Sequence, residues 1–216
     1  MDTPPAPTEL LIRPLGEAAM CCAVDGPIAL EHQQRLWQLA TALGQHEGVL
    51  SVIPGMNNLT LTFDPFRNEP EALAQAALAL WHKPMRRQAA GRLVEIAVRY
   101  DGPDLGDVAA HCDMSAEEVV RRHAATDYIV YFIGFQPGFA YLGGLDESLH
   151  TPRRAEPRTS VPAGSVGIGG AQTGIYPLAT PGGWQLIGRT AVPLFDPLAD
   201  PPTLLAPGDR VRFVPI

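Results

Sequence analysis

Residues 162–177 read Pro162-Ala163-Gly164-Ser165-Val166-Gly167-Ile168-Gly169-Gly170-Ala171-Gln172-Thr173-Gly174-Ile175-Tyr176-Pro177. Short apolar pieces punctuated by Gly and Pro predict strands, here Ser165 to Ile168 and Thr173 to Tyr176. The glycines suit the bends and bulges of a curled sheet, or equally a backbone that a ligand can approach. The texture continues in both directions. Tyr128 to Phe135 is β-branched and aromatic, and Trp184 to Ile187 and Arg210 to Val214 are further strand candidates. Together they predict a closed or barrel-like sheet, which manages its edges by curling.

The first part of the chain has a different pattern. Leu10-Leu11-Ile12 and Ala18 to Val24 predict two strands around a Pro14/Gly16 turn, and Pro27 is expected to open a helix with Leu36, Leu39, Ala40 and Leu43 on one face, Trp37 flanking that stripe and Gly44 at its end. Val49 to Ile53 and Leu59 to Phe63 flank Pro54-Gly55-Met56-Asn57-Asn58, a tight connection where Gly and Asn accept positive φ. A second helix begins near Glu69-Pro70 and carries Leu73, Ala76, Ala77, Leu80 and Trp81. Two hairpins and two helices make a small sheet covered on one face.

Periodicity fails from Lys83 to Arg92, which marks a linker and divides the chain into residues 1–88 and 89–216. Leu93 to Tyr100 then predicts a strand that opens the second domain, followed by two short helices. The second is announced by Ser115 with Glu118 three positions on, the reciprocal capping-box spacing. The fold class expected is α+β: a small two-layer α/β sandwich, then a β-barrel.

Composition excludes several functions. The 216 residues are 46% hydrophobic and 18% charged, an ordinary globular balance. Sixteen basic and 23 acidic side chains leave a formal charge of −7, without a Lys/Arg run, so nucleic acid is not an expected partner. Cys21, Cys22 and Cys112 form no disulfide framework and are expected reduced in the cytoplasm. The Pro-rich start has no basic region ahead of an apolar stretch, and no run reaches membrane-spanning length, so neither export nor a membrane is expected.

Several motifs fail. Gly164 to Gly174 lacks the Lys-Ser/Thr of a phosphate-binding loop, and Gln172 stands where a dinucleotide fingerprint needs its third glycine. Ala163-Gly164-Ser165-Val166-Gly167 imitates a nucleophile elbow with the first glycine displaced by one. His111-Cys112 has no further ligands at tetrahedral spacing, and His32, His46, His82 and His150 are scattered, so no metal is expected.

What remains lies between His123 and Arg189. Phe135-Gln136-Pro137-Gly138-Phe139-Ala140-Tyr141 sets aromatics beside permissive glycine, which suits either an apolar cleft or a tight loop packed on the barrel. Ser165, Gln172, Thr173 and Tyr176 interleave hydrogen-bonding side chains with small residues. Arg158 and Arg189 are candidate partners for carboxylate or phosphate, and His123, placed just after the second short helix, is a candidate proton shuttle. The candidate catalytic group is His123, Gln172, Tyr176 and Arg189. The candidate substrate-binding group is Phe135, Pro137, Gly138, Phe139, Tyr141, Arg158, Ser165, Gln172, Thr173, Tyr176 and Trp184.

Ile133 to Gly143, Val161 to Pro177, Pro181-Gly182-Gly183-Trp184-Gln185-Leu186-Ile187-Gly188-Arg189-Thr190, Leu194-Phe195-Asp196-Pro197 and Pro207 to Phe213 resemble the KipI-like, or allophanate hydrolase subunit 1, family from Leu10 to Ile216. Ile53 to Asn58 and His150 to Arg158 look like its 5-oxoprolinase branch. The resemblance implies a cyclophilin-like β-barrel as the second domain, without implying prolyl isomerase activity, because function resides in the site. It also implies a KipA-like (allophanate hydrolase subunit 2) partner, a LamB/YcsF-like partner (PxpA), 5-oxoproline as substrate, and ATP consumed by the complex. Other members imply two alternatives, an inhibitor of a sensor histidine kinase and the carboxyltransferase half of an allophanate or urea enzyme. The chain has no Ala-Met-Lys-Met biotin-attachment motif. Ala140 departs from the family, where proline is expected.

Overall fold

The computed structural model describes residues 9–84 and 91–216. By internal contact the chain forms two compact units, Met1–Gln88 and Ala89–Ile216. The central part of the expected linker and the boundary itself fall on residues 85–90, outside the described residues.

The first unit runs β1 (Leu10–Pro14), β2 (Ala19–Val24), α1 (Leu30–Leu43), β3 (Val49–Gly55), β4 (Asn58–Phe63) and α2 (Pro70–Trp81). Its sheet has the order β1-β2-β4-β3, antiparallel throughout. Strand alternation sends Met20, Cys22 and Val24, with Leu59, Leu61 and Phe63, to one buried face. Leu36, Leu39 and Leu43 of α1 and Leu73, Ala77 and Trp81 of α2 join them in one apolar core. Burial, with a smaller contribution from Cys21, pushes the Cys22 thiol up to about 12, which makes it an inert core residue.

One local expectation is corrected. Helix α1 starts at Leu30 rather than Pro27, because the Asn57 side-chain amide donates to the carbonyls of Gly26 and Pro27, at 3.1 Å each, and holds that segment as a turn. Asn57 itself takes φ +52° in the β3–β4 connection. Trp37 is buried but stands outside the core cluster that Leu36, Leu39 and Leu43 share, in keeping with a place beside that stripe. Pro70 does occupy the first turn of α2.

The second unit runs β5 (Leu93–Val98), α3 (Leu105–His111), α4 (Ala116–Ala124), β6 (Asp127–Ile133), β7 (Ala140–Gly143), a 3-10 turn (Glu147–Leu149), β8 (Arg158–Val161), β9 (Ser165–Gly169), β10 (Gln172–Ile175), β11 (Thr180–Gly182), β12 (Gln185–Arg189) and β13 (Arg210–Pro215). Seven strands form one sheet in the order β12-β9-β10-β7-β6-β13-β5, while β8 and β11 pair as a separate ribbon. Among the described residues, β13 and β5 form the one parallel pair. The sheet curls until its two edges meet. Arg99, just past β5, and Arg189 exchange both backbone hydrogen bonds at 2.9 Å, and Asp104 N donates to Leu186 O at 2.9 Å farther along. The expectation of a barrel-like sheet is met by a seven-stranded sheet that is nearly closed.

Inside it lie Ile96, Val98, Val130, Leu142, Val166, Ile168, Ile175, Ile187 and Phe213. A histidine is buried among them. His123 belongs to α4 rather than following it, has no exposed surface, and stacks on Phe213 with ring centroids 4.7 Å apart. Its hydrogen bonds identify its protonation state. Thr173 Oγ1 donates to Gly167 O at 3.0 Å, so it accepts from His123 Nε2–H at 2.8 Å, and Nδ1 then accepts from the Tyr100 hydroxyl at 2.8 Å. A neutral ring satisfies every member of that chain.

The capping box forms by half. Ser115 Oγ accepts from Glu118 N at 3.2 Å, but the Glu118 carboxylate turns to Arg121 and Arg122, at 2.7 and 2.6 Å, because two guanidinium forks offer stronger donors than one backbone amide.

The barrel can be tested at its seam and at its core. A methyl group at Gly188 would lie 2.7 Å from Arg99 O and 3.0 Å from Val98 Cγ1. Gly188→Ala should therefore lower stability by about 1–3 kcal/mol through overpacking at the seam, measured by urea unfolding. An unchanged midpoint would contradict the closure. Burial also holds His123 down at about 3 against an ordinary 6.5. Between those values the unfolded chain binds a proton that the folded chain refuses. The neutral ring's contribution is therefore complete above pH 6.5 and is lost as pH falls toward 3, by at most about 1.4 kcal/mol per pH unit. His123→Gln should flatten the dependence of unfolding free energy on pH between 6.5 and 4, and identical slopes would refute the assignment.

Candidate functional site

Alternation along the strands builds the outer face of the barrel. In β9, Val166 and Ile168 point into the core, so Ser165, Gly167 and Gly169 face outward. In β10, Thr173 and Ile175 face inward, so Gln172 and Gly174 face outward, and Tyr176 continues that alternation one residue past the strand end. Leu186 of β12 also lies outside, packed with Phe139, Val161, Tyr176 and Trp184.

Trp184 covers this face at a distance that only glycine permits. A Cβ at Gly169 would collide with the indole, and one at Gly174 would lie 3.1 Å from Trp184 Cζ3. Phe139 meets Trp184 and Tyr176 edge-on, with centroids 5.4 and 5.2 Å apart. Phe135 extends the cluster to the surface, 60% exposed and at φ +67°, a left-handed conformation that costs a non-glycine residue energy. Arg153 places its guanidinium over Trp184, 5.9 Å from the ring centroid. Burial raises the Tyr141 and Tyr176 phenols, so both are protonated at neutral pH. The Gln172 Nε2 is buried without a hydrogen-bond partner in this outer layer.

Beside that face, along the closing seam, lies a cleft of ≈ 430 Å³ lined by Asp101, Gly102, Pro103, Arg158, Ser160, Pro162, Ala163, Ser165, Leu186, Gly188 and Arg189. Two guanidinium groups and one carboxylate line it. Arg158 is rigidly held, because the buried Asp104 carboxylate accepts from it at 2.7 and 2.9 Å, from Arg154 at 3.1 Å and from Leu186 N at 2.6 Å. Arg189 is held loosely. Its 2.7 Å bond to Asp101 joins two exposed side chains, a kind of pair contributing about 0–1 kcal/mol. A somewhat larger groove of ≈ 470 Å³ lies between α1 and α2 in the first unit, but its wall ends at Lys83 and Pro84, next to residues 85–90, and none of the candidate catalytic or substrate-binding residues lines it.

The sequence-predicted residues therefore separate into three places. Phe135, Phe139, Tyr141, Gln172, Tyr176 and Trp184 share the outer face, and Arg158, Ser165 and Arg189 share the seam cleft. His123 and Thr173 are inside the barrel, bonded to each other, and reach neither. The role of proton shuttle expected of His123 is at odds with that burial. Pro137 is exposed, whereas Gly138, at φ +80°, packs against Leu194 and Phe195. The expected Phe135–Tyr141 loop is shorter than its motif, since Ala140 already pairs with Ile133 as the start of β7.

Sequence reading missed Asp101, Asp104, Arg153 and Arg154. The three arginines clustered at 153, 154 and 158 were a usable signal of local positive charge. Asp104 had none, being 54 residues from Arg158. Among the described residues no group of three or more His, Cys, Asp or Glu gathers to hold a metal, and no helix is long and apolar enough to cross a membrane.

Comparison with known proteins agrees with this architecture. The chain is 54% identical over 208 residues to a 5-oxoprolinase subunit of Escherichia coli O157:H7, covering 93% of this chain and 94% of that protein. It is 48% identical to the corresponding 5-oxoprolinase subunit of Haemophilus influenzae, covering 94% and 96%. Among solved structures, TTHA0988 superposes with a TM-score of 0.81 at 39% identity, over 95% of this chain but only 40% of that longer chain. The family described as Carboxyltransferase domain, subdomain C and D, matches residues 10–205, and the chain belongs to it.

Proposed function

We propose that this chain is a subunit of an ATP-dependent 5-oxoprolinase, which converts 5-oxoproline, ATP and water to glutamate, ADP and phosphate. The observation that carries this reading is 54% identity, spanning 93% of the chain, to a protein named as a 5-oxoprolinase subunit. The same name recurs on a relative 42% identical over 188 residues, from Bacillus subtilis. That shared name favours an enzyme component over a kinase inhibitor. The partners in this reading are a KipA-like subunit and a LamB/YcsF-like subunit, and the complex as a whole consumes the ATP.

The chemistry explains why ATP is needed. A lactam carbonyl is stabilised by resonance with its nitrogen, and phosphorylating the amide oxygen makes the carbon electrophilic; one water adds there, the ring C–N bond breaks with the nitrogen leaving as the amine, and a second water releases phosphate from the resulting acyl phosphate. This chain has no phosphate-binding loop of its own, so much of the nucleotide site belongs to a partner in this reading. What the chain offers is an orienting surface. The aromatic outer face supplies apolar walls, and the partnerless Gln172 amide supplies one hydrogen bond for a lactam. Tyr176, 2% exposed beneath Phe135 and Phe139, serves as a wall of that surface.

Two outcomes test this. The purified chain alone should release no glutamate from 5-oxoproline and ATP, while adding it to the two partner subunits should restore release. Turnover by the single chain, or by the partners without it, would refute the subunit role. In the reconstituted complex, Gln172→Ala should lower kcat/KM about 5- to 150-fold, the equivalent of one lost hydrogen bond of about 1–3 kcal/mol in a desolvated site. Its melting temperature should stay at the wild-type value. Normal kinetics with a lowered melting temperature would make Gln172 a packing residue.

A further inference from the structure

The seam cleft contains a hydroxyl for which neither the fold nor the outer face has a use. Ser165 is only 6% exposed, and its Oγ has no hydrogen-bond partner among the described residues. Ser165 nevertheless lines the cleft rather than the barrel interior. Directly across the strand pair, in register with it, stands Arg189. Cross-strand partners project to the same face, so the hydroxyl and the guanidinium stem share the cleft wall. Arg158 enters from β8, with both of its Nη atoms fixed on Asp104 and one further hydrogen left on each.

We propose that this cleft binds a phosphate-type oxyanion, held by Arg189 and Arg158 and capped by the Ser165 hydroxyl. Three observations converge on an anion. The lining carries two guanidinium groups against a single carboxylate, although the whole chain has a formal charge of −7. The Arg189 fork is committed only to the exposed Asp101, a weak pair that an incoming oxyanion can bridge or displace. The Ser165 hydroxyl opens on the cleft without a protein partner, a neutral donor that can complete the hydrogen bonds of an oxyanion and repels none of its charge. A tetrahedral anion has enough acceptor oxygens to meet donors arriving from β8, β9 and β12 at once, whereas a planar carboxylate offers two. Identifying the anion as phosphate rests on the proposed reaction, which releases it; the anion site itself rests on the geometry alone.

Titration of inorganic phosphate, and separately of the nonhydrolysable nucleotide AMP-PNP, into the purified chain at constant ionic strength tests this by calorimetry and amide NMR shifts. Saturable phosphate binding should weaken about tenfold in Arg189→Gln and in Ser165→Ala, the loss of one charge-assisted or one neutral contact at a three-point site. Both variants keep the backbone pairing of the seam, so their melting temperatures should match the wild type. If AMP-PNP alone binds, with the same dependence on Arg189 and Ser165, the site stands and its phosphoryl group comes from the nucleotide. Absence of saturable binding of either anion up to about 50 mM, or binding indifferent to both substitutions, overturns the proposal. Glutamate release by the reconstituted complex reports on the proposed function separately, so either idea can fail while the other stands.

Discussion

Two backbone hydrogen bonds of 2.9 Å between Arg99 and Arg189 turn a seven-stranded ribbon into a nearly closed barrel, and the placement of the candidate site depends on them. An open sheet leaves a row of unpaired amides and carbonyls at each edge; joining the edges removes that cost. Closure also brings the segment from Asp101 to Asp104 alongside β12, although 82 positions separate Asp104 from Leu186 in sequence. The cleft exists because of that approach. Its floor is the seam, and its charged walls come from residues on the two sides of it.

Closing a barrel creates an inside and an outside, and the two faces of β9 and β10 are used differently. Inward positions carry Val166, Ile168 and Ile175 for the core, with one polar exception at Thr173. That threonine belongs to a hydrogen-bond chain from the Tyr100 hydroxyl through His123 to the carbonyl of Gly167. Because each donor has one acceptor and the chain ends on a backbone carbonyl, the polar groups are satisfied without a charge. The outward positions are nearly bare of side chains, and aromatic residues from three other segments lie across them. Glycine in these strands thus serves the approach of Trp184 more than the bending of the sheet.

Asp104 organises the charges near that face. One carboxylate, 3% exposed, accepts from Arg154, Arg158 and the amide of Leu186, and so ties the loop before β8 to the seam. Removing its charge would strand two guanidinium groups, which is why a buried pair of this kind is costly to break even where its net contribution is small. The consequence for the site is an Arg158 fixed on a buried carboxylate beside an Arg189 paired only with the exposed Asp101.

Sequence by itself determined the elements and their class. The alternation of Met20, Cys22 and Val24, the Pro70 start of α2, the Ser115 cap and the Gly-punctuated strands after Tyr128 are local patterns, legible because the 2.0 and 3.6 residue periods report which face is buried. It also singled out Trp184, Gln172, Arg158 and Arg189 as candidates, from the hydrogen-bonding and aromatic side chains set among small residues. Tertiary structure alone decided how those residues group. Whether a β-strand side chain points into a barrel or out of it turns on register and closure, and a shift of one residue reverses every assignment. That is why His123 and Ser165, both candidates from the sequence, part company, the first sealed in the core and the second opening on the cleft. Asp101 and Asp104 were invisible for the same physical reason: their side-chain partners lie 50 or more residues away, and only a sheet that curls back on itself brings them into contact.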